Sequence, residues 1–280
     1  MQAATLGVTR IAHLSDVHML QSGPSRSRSS HGIGVRFLSF GRPLNGHERV
    51  RKLRRGLASA QRVGATPFVI SGDLTEIGSP GEFETFAEAL HDSGIAPERF
   101  TLVPGNHDAY TSPDAWREAL EGPLSAFRAG SADGPGKVVE AKGVTFLPVD
   151  VACHQPITRS AGELTDATAE AIERRLTDRA IVRQPVVLVQ HHPPFSHSSR
   201  AWQWVDGLRG WKRLMDMLVR FPDVHVLHGH LHHVVDKIVG LGRSRIFGAP
   251  ATVEDHLAAA RVRVYDVRDG HLESLGIIEG

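Results

Sequence analysis

The sequence predicts an α/β fold. Short apolar runs that read as strands alternate with segments of helical apolar spacing. Polar residues cluster directly after the ends of those runs, where open α/β sheets place their ligands. The C-terminal tail reads as antiparallel β. At 280 residues, with no internal repeat and no convincing linker, the chain is read as one domain over 1–280.

The first run, Arg10 to Ser15, is a buried strand ending at Asp16. Residues 21–46 are rich in Ser, Gly, Arg and Pro, with a small apolar patch at Val35, Phe37, Leu38 and Phe40. They read as an insertion or flap outside the core. From His47 to Val63 the spacing of Val50, Leu53 and Leu57 fits a helix, with a basic outer face of Arg49, Arg51, Lys52, Arg54 and Arg55. Pro67 to Ser71 is a second strand, ending at Gly72-Asp73. Phe83, Phe86, Ala87 and Leu90 recur at three- and four-residue spacing, which predicts a helix over Pro80 to His91. Phe100 to Val103 is a third strand, running into Pro104-Gly105-Asn106-His107-Asp108.

Thr111 to Lys142 is Gly-rich and carries no clear pattern. Val144 to Asp150 reads as a strand, Thr165 to Arg179 as a capped helix, and Pro185 to Gln190 as a buried strand before His191-His192-Pro193-Pro194. Trp202 to Arg220 is helical over its second half, through Leu214, Met217 and Leu218. Val224 to Leu227 is a strand feeding His228 to His233. The tail comprises strands over Ser244 to Gly248, Arg261 to Val267 and His271 to Ile278, with a turn at Asp269-Gly270.

Composition narrows the function classes. A net charge of +1 gives no bulk attraction to nucleic acid or anionic membrane, and no DNA-binding module is evident. The single cysteine, Cys153, excludes an internal disulfide and a soft thiolate metal site, and it fits a reducing compartment. Met1 to Arg10 lacks the pattern of a secretory signal, and no apolar run approaches the ~20 residues that span a bilayer. The expected location is the cytoplasm.

The chemistry lies in the strand ends. They carry Asp16 and His18; Asp73; Asn106, His107 and Asp108; His191 and His192; and His230 and His232. Carboxylate and amide oxygens mixed with imidazole nitrogens suit first-row ions such as manganese, iron or zinc. Each short motif alone is also an ordinary turn; their joint occurrence after apolar runs, in α/β order, points to a site. Two ions about 3.5–4 Å apart need a bridging carboxylate. Asp73, arriving alone from a central strand, is the natural bridge.

The set Asp16-x-His18, Gly72-Asp73, Gly105-Asn106-His107-Asp108, His191-His192 and Gly229-His230-x-His232 resembles the calcineurin-like metallophosphoesterase superfamily. The resemblance runs from about Ile11 to His233, with every motif intact. It implies a four-layer α/β/β/α sandwich with two facing mixed β-sheets. It implies one ion held by Asp16, His18, Asp73 and His232, and a second held by Asp73, Asn106, His191 and His230. His107 is implied as a catalytic residue beside the substrate phosphate, with Asp108 orienting it. An activated water then attacks phosphorus in line. His192 is expected behind the ligands, and His13, His225, His228 and His233 as structural or rim residues.

The run Gly72-Asp73-Leu74-Thr75-Glu76-Ile77-Gly78 before a helix is similar to bacterial class III cyclic nucleotide and glycerophosphodiester phosphodiesterases, as is His191-His192-Pro193-Pro194. That similarity implies hydrolysis of a small phosphodiester or nucleotide-type substrate. The 21–46 insertion and the basic helix loosely resemble relatives that cleave UDP-2,3-diacylglucosamine in lipid A synthesis, which implies instead a lipid substrate at the inner-membrane surface. Trp202, Trp204 and Trp211 are read as stacking or interfacial groups near the site, or as core. Some relatives are scaffolds that have lost ligands; here every ligand position is filled. Relatives often form homodimers, and nothing in the sequence fixes the oligomeric state.

Overall fold

The structure is a computed structural model that describes residues 8–22, 33–39, 41–255, 257–268 and 270–280. In chain order the elements begin with β1 (Thr9–Leu14), α1 (Ile33–Leu38), α2 (Gly46–Arg62), β2 (Phe68–Ser71), α3 (Pro80–His91) and β3 (Phe100–Val103). Next come α4 (Ala115–Glu121), β4 (Val139–Ala141), β5 (Val144–Pro148), β6 (Gly162–Glu163), α5 (Asp166–Thr177) and β7 (Val186–Val189). The chain ends with α6 (Arg200–Asp206), β8 (Leu208–Arg209), α7 (Trp211–Arg220), β9 (Val224–His228), β10 (Val235–Ile238), β11 (Arg245–Gly248), β12 (Arg261–Arg268) and β13 (His271–Glu279).

Two mixed sheets organise these elements, with strand orders β13-β12-β1-β2-β3 and β10-β11-β9-β7-β5-β4. The period-two alternation of strand side chains places neighbouring residues in different apolar layers. Ala12, Leu14, Phe68, Ile70, Phe100 and Leu102 face α2, α3 and α4. Val186, Leu188, Val224 and Val226 face α5 and α7. The intervening Ile11, Val69, Val103, Val187, Val189 and Leu227 meet between the sheets. Three separate apolar spaces mean four layers, as the resemblance implied. Continuous apolar runs suit such strands because both faces are buried.

Helix signals agree with the chain. Thr165 caps α5 by accepting from the Thr168 amide. Pro80 opens α3, and the Glu82 carboxylate accepts from the Ser79 amide at 3.1 Å.

Several expectations need correction. The basic face of α2 is not wholly outward. Arg49 and Lys52 are buried in the same stripe as Leu53, Gly56 and Leu57, while Arg51, Arg54 and Arg55 are exposed. The 21–46 insertion contributes α1, and its Val35 and Ser39 are buried. Phe40 and residues 23–32 lie outside the described residues. The unassigned middle holds α4, whose Trp116, Ala119 and Leu120 enter the first apolar layer. The tail is not simply antiparallel: β11 pairs in parallel with β9 and antiparallel with β10. Three of the four residues of β10 are exposed, so no apolar run announced it. The second half of Trp202 to Arg220 is helical as expected, forming α7, whereas the first half adds the unforeseen α6, which buries none of its residues and is separated from α7 by Gly207–Gly210. The tail turn retains Gly270 at φ 79°, whereas Asp269 lies outside the described residues.

Candidate metal centre

All the predicted strand-end residues converge. β1, β2 and β3 run parallel, and so do β7 and β9, so their carboxyl ends lie together at one rim of the sandwich. Backbone pairing continues past the strands. The Asp16 amide donates to the Gly72 carbonyl at 3.1 Å, the His18 amide to Asp73 at 2.8 Å, and the Gly229 amide to His191 at 3.0 Å. The two rims then close on each other. A β-carbon on Gly229 would lie 1.7 Å from Ser15 Oγ across the sheets, and, within the first sheet, one on Gly105 would lie 2.2 Å from Asp73 Oδ1. Only glycine permits those approaches.

Backbone conformation singles out the same residues. Asp16, His18, Asp73, His230 and His232 have φ between 48° and 68°, the only positive values at non-glycine positions among the described residues. Each costs roughly 1–2 kcal/mol in the left-handed region. Such strain clusters at functional sites.

The side chains form two overlapping groups. His18 Nε2 lies 3.4 Å from His232 Nε2, which lies 3.2 Å from Asp16 Oδ1. His191 Nε2 lies 3.2 Å from Asp73 Oδ2, and the same oxygen is 3.9 Å from His18 Nε2. Asp16, His18 and His232 offer atoms within 4.8 Å of one another, as do Asp16, Asp73 and His191. Ligands 2.0–2.1 Å from one tetrahedral ion sit about 3.3–3.4 Å apart. Asp73 Oδ2 thus lies between the rings of His191 and His18.

Unsatisfied atoms point the same way. Asp16 Oδ1, Asn106 Oδ1 and His191 Nε2 are buried without a hydrogen-bond partner. Such groups call for explanation, and an ion is one. Partners elsewhere set which atom stays open. Asn106 Nδ2 donates to Tyr110 Oη at 2.9 Å, leaving the amide oxygen. His191 Nδ1 lies 2.8 Å from the Ser71 carbonyl, so it carries the proton and leaves Nε2 its lone pair. His230 is the reverse: Nε2 lies 3.0 Å from both the Asp206 carbonyl and Asp206 Oδ1, leaving Nδ1 open. Asp206 is itself held by the Ser160 hydroxyl and lies 3.3 Å from His197 Nε2.

Electrostatics favour a cation here. Burial pulls the His191 imidazole down, yet the charge of Asp73 outweighs it and raises the ring to about 9. The negative charge that strengthens proton binding also attracts a divalent ion, so the two compete. Burial raises Asp16, but His232 prevails and brings it to about 2. Burial holds His18 well below its ordinary value, so its ring is neutral and ligand-ready.

His107 is placed beside this cluster, with Nε2 3.9 Å from Asp73 Oδ2 and its ring edge-on to His18 at 4.5 Å. Its side chain is 12% exposed, against 0% for His18 and His191. Asp108 takes a different part from the one expected. Its carboxylate accepts from the amides of Leu74, Thr75 and Gly105 and from the Thr75 hydroxyl, which locks the loops after β2 and β3 together. The His107 ring is held instead by Glu76, whose carbonyl lies 2.7 Å from Nδ1. His192 bonds the Ser160 carbonyl at 2.6 Å and packs against His230 with its ring tilted 39°. His13 bridges Ser71 and Tyr265 in the core, and His228 bonds the Gly229 carbonyl.

Sequence reasoning missed Glu76, Arg42, Arg49 and Asp206. Glu76 stands three residues beyond Asp73 in a quoted motif, so its position carried a signal. Asp206, at the end of a helix with no apolar pattern, carried none.

A four-layer sandwich with oxygen and imidazole ligands gathered at the strand ends defines a metal-centred phosphoesterase architecture. The chain belongs to the calcineurin-like phosphoesterase family, whose model matches residues 9–234. It is 26% identical over 186 residues to a "Probable cyclic nucleotide phosphodiesterase" of Synechococcus sp., an alignment covering 66% of this chain and 64% of that protein. A dimetal phosphatase from Danio rerio shares the fold with a TM-score of 0.64 at 12% identity, covering 99% of this chain and 98% of the other. A Thermus thermophilus protein gives 0.58 at 14% identity, covering 96% and 99%. Among the described residues no helix is long and apolar enough to cross a membrane.

Proposed function

We propose that the protein is a metal-dependent phosphoric ester hydrolase that binds two ions and acts on small phosphodiesters. The carrying observation is the convergence of unsatisfied oxygen and nitrogen atoms from both sheets around Asp73. Asp16, His18, Asp73 and His232 would hold one ion; Asp73, Asn106, His191 and His230 would hold the other. When bound, such ions activate a water and neutralise phosphoryl oxygens. The phosphodiester class rests on the Gly72-Asp73-Leu74-Thr75 run and on the Synechococcus relative.

The protein's own groups have defined tasks. The tautomers set by Ser71 and Asp206 keep lone pairs on His191 and His230 aimed away from their backbone partners. His107 must carry a proton on Nδ1, because the Glu76 carbonyl only accepts. It therefore meets substrate through Nε2, as an acceptor when neutral and a donor when doubly protonated. Burial disfavours the charged ring, while Asp73 and Glu76 favour it. An anionic ester adds to the second influence, so substrate binding itself readies the donor for the leaving oxygen.

The test is a substrate panel with manganese-loaded protein: p-nitrophenyl phosphate, bis(p-nitrophenyl) phosphate, cyclic AMP, a glycerophosphodiester and a nucleoside-diphosphate lipid. Turnover of the diesters with stoichiometric metal is expected. Bound metal with no turnover of any ester refutes the reading.

A further inference from the structure

We infer that Arg42 is an anchor for the substrate's phosphoryl oxygens, carried into the site by the 21–46 insertion. The inference rests on the phosphoester reading above. It starts from a charge mismatch at Glu76.

Glu76 is a buried carboxylate shared by two guanidinium groups. Arg49, fully buried, pairs with Glu76 Oε2 and the His18 carbonyl through Nη1. Its remaining nitrogens reach the Pro43 carbonyl at 2.7 Å and Ser39 Oγ at 2.9 Å. Arg49 and Glu76 thus form a satisfied pair. Arg42 is the surplus cation. Its Nη2 meets Glu76 Oε1 at 2.8 Å and the Leu38 carbonyl, while its Nε is buried with no partner. The side chain is only 10% exposed. Burying a second cation against one carboxylate is costly unless another anion completes it.

Location says which anion. Glu76 Oε1 lies 3.8 Å from His107 Nδ1, and Glu76, His107 and His18 offer atoms within 4.8 Å of one another. Arg42 therefore stands one residue away from the metal cluster, joined to it through Glu76. A fixed positive charge there opposes metal loading and becomes favourable once an oxyanion lies between it and the ions. A guanidinium fork matches phosphoryl oxygens, which a compact ammonium does less well.

The experiment titrates inorganic phosphate calorimetrically into manganese-loaded full-length protein, comparing wild type with Arg42→Ala, Arg42→Gln and Arg42→Lys. Metal content and melting temperature are read in parallel. Loss of a charge-assisted contact weakens phosphate binding about ten- to hundredfold in the Ala and Gln variants, with metal content kept. Lys falls between. In ester hydrolysis KM rises by a similar factor and kcat falls less. Phosphate affinity within about twofold of wild type in the Ala and Gln variants overturns the inference. So does a loss of affinity that only accompanies loss of metal, since that marks a structural brace. A wild type that binds metal but neither binds phosphate nor turns over an ester overturns the phosphoester reading and the anchor with it.

Discussion

Replacing Asp206 tests whether the second ion proposed above depends on a residue that touches only one of its proposed ligands, His230. His230 Nε2 has two acceptors at 3.0 Å, Asp206 Oδ1 and the Asp206 carbonyl. Asp206→Asn keeps the backbone acceptor and an amide oxygen and removes only the charge. A charge-assisted hydrogen bond exceeds a neutral one by about 1 kcal/mol, so metal affinity should fall about fivefold. Asp206→Ala also removes the attachments to Ser160 and His197, so the His230 ring loses its orientation. Deleting such outer partners of ligating histidines costs about 10–100-fold in affinity. The assay is stepwise competition with a chromogenic chelator, with metal content measured after dialysis. The weakened step should be the one that survives in His18→Ala, because the two substitutions strike different ions in the proposed assignment. Equal retention of both ions in Asp206→Ala, or loss of the His18-side ion first, would refute the tautomer argument.

His107→Ala should abolish most turnover while leaving metal content near wild type; loss of both ions would assign His107 to the metal shell. Arg49→Ala should destabilise the fold by about 3–5 kcal/mol in urea unfolding, because it leaves Glu76 buried without its main partner; a change below about 1 kcal/mol would show that Arg42 compensates. Burial raises Glu82 to about 7 in the folded protein. The folded state then holds a proton that the unfolded chain has released above about pH 4.3. This group's contribution to stability therefore falls as pH rises from about 4.3 to 7, by roughly 3–4 kcal/mol. Glu82→Gln keeps the capping geometry and removes the titration. Its stability relative to wild type should be higher at pH 8 than at pH 5, and an unchanged difference would show that Glu82 is ionised throughout.

The fold and the clustering of the candidate site residues were largely legible because they rest on local patterns. Apolar runs over Phe68–Ser71, Phe100–Val103 and Val186–Val189 mark strands buried on both faces, and each is followed at once by ligand-type residues. What stayed hidden depends on contacts between distant segments. Arg49 and Lys52 counted as surface charge until Glu76 and the Asp255 carbonyl supplied partners from other parts of the chain. β10 has one buried residue in four, so no apolar run marks it. α6 carries exposed Trp202 and Trp204 and no buried stripe, so neither its existence nor the role of Asp206 could be read from spacing. The partner of His107 was misjudged for the same reason: Glu76 reaches it across a loop, whereas Asp108 is merely its neighbour in sequence.

The hydrogen bond from the His230 amide to Asp16 Oδ2, at 3.2 Å, joins a loop of one sheet to a loop of the other. Asp16 and His232, proposed for one ion, likewise come from opposite sheets. The site is therefore a clasp across the sandwich. Sliding one sheet over the other by even an ångström would pull this clasp apart. Side chains deep between the sheets, such as Ile11, Val187 and Phe146, thus act as a gauge block for the spacing of ligands at the rim. A trimmed side chain in that seam should therefore loosen the site as well as the core.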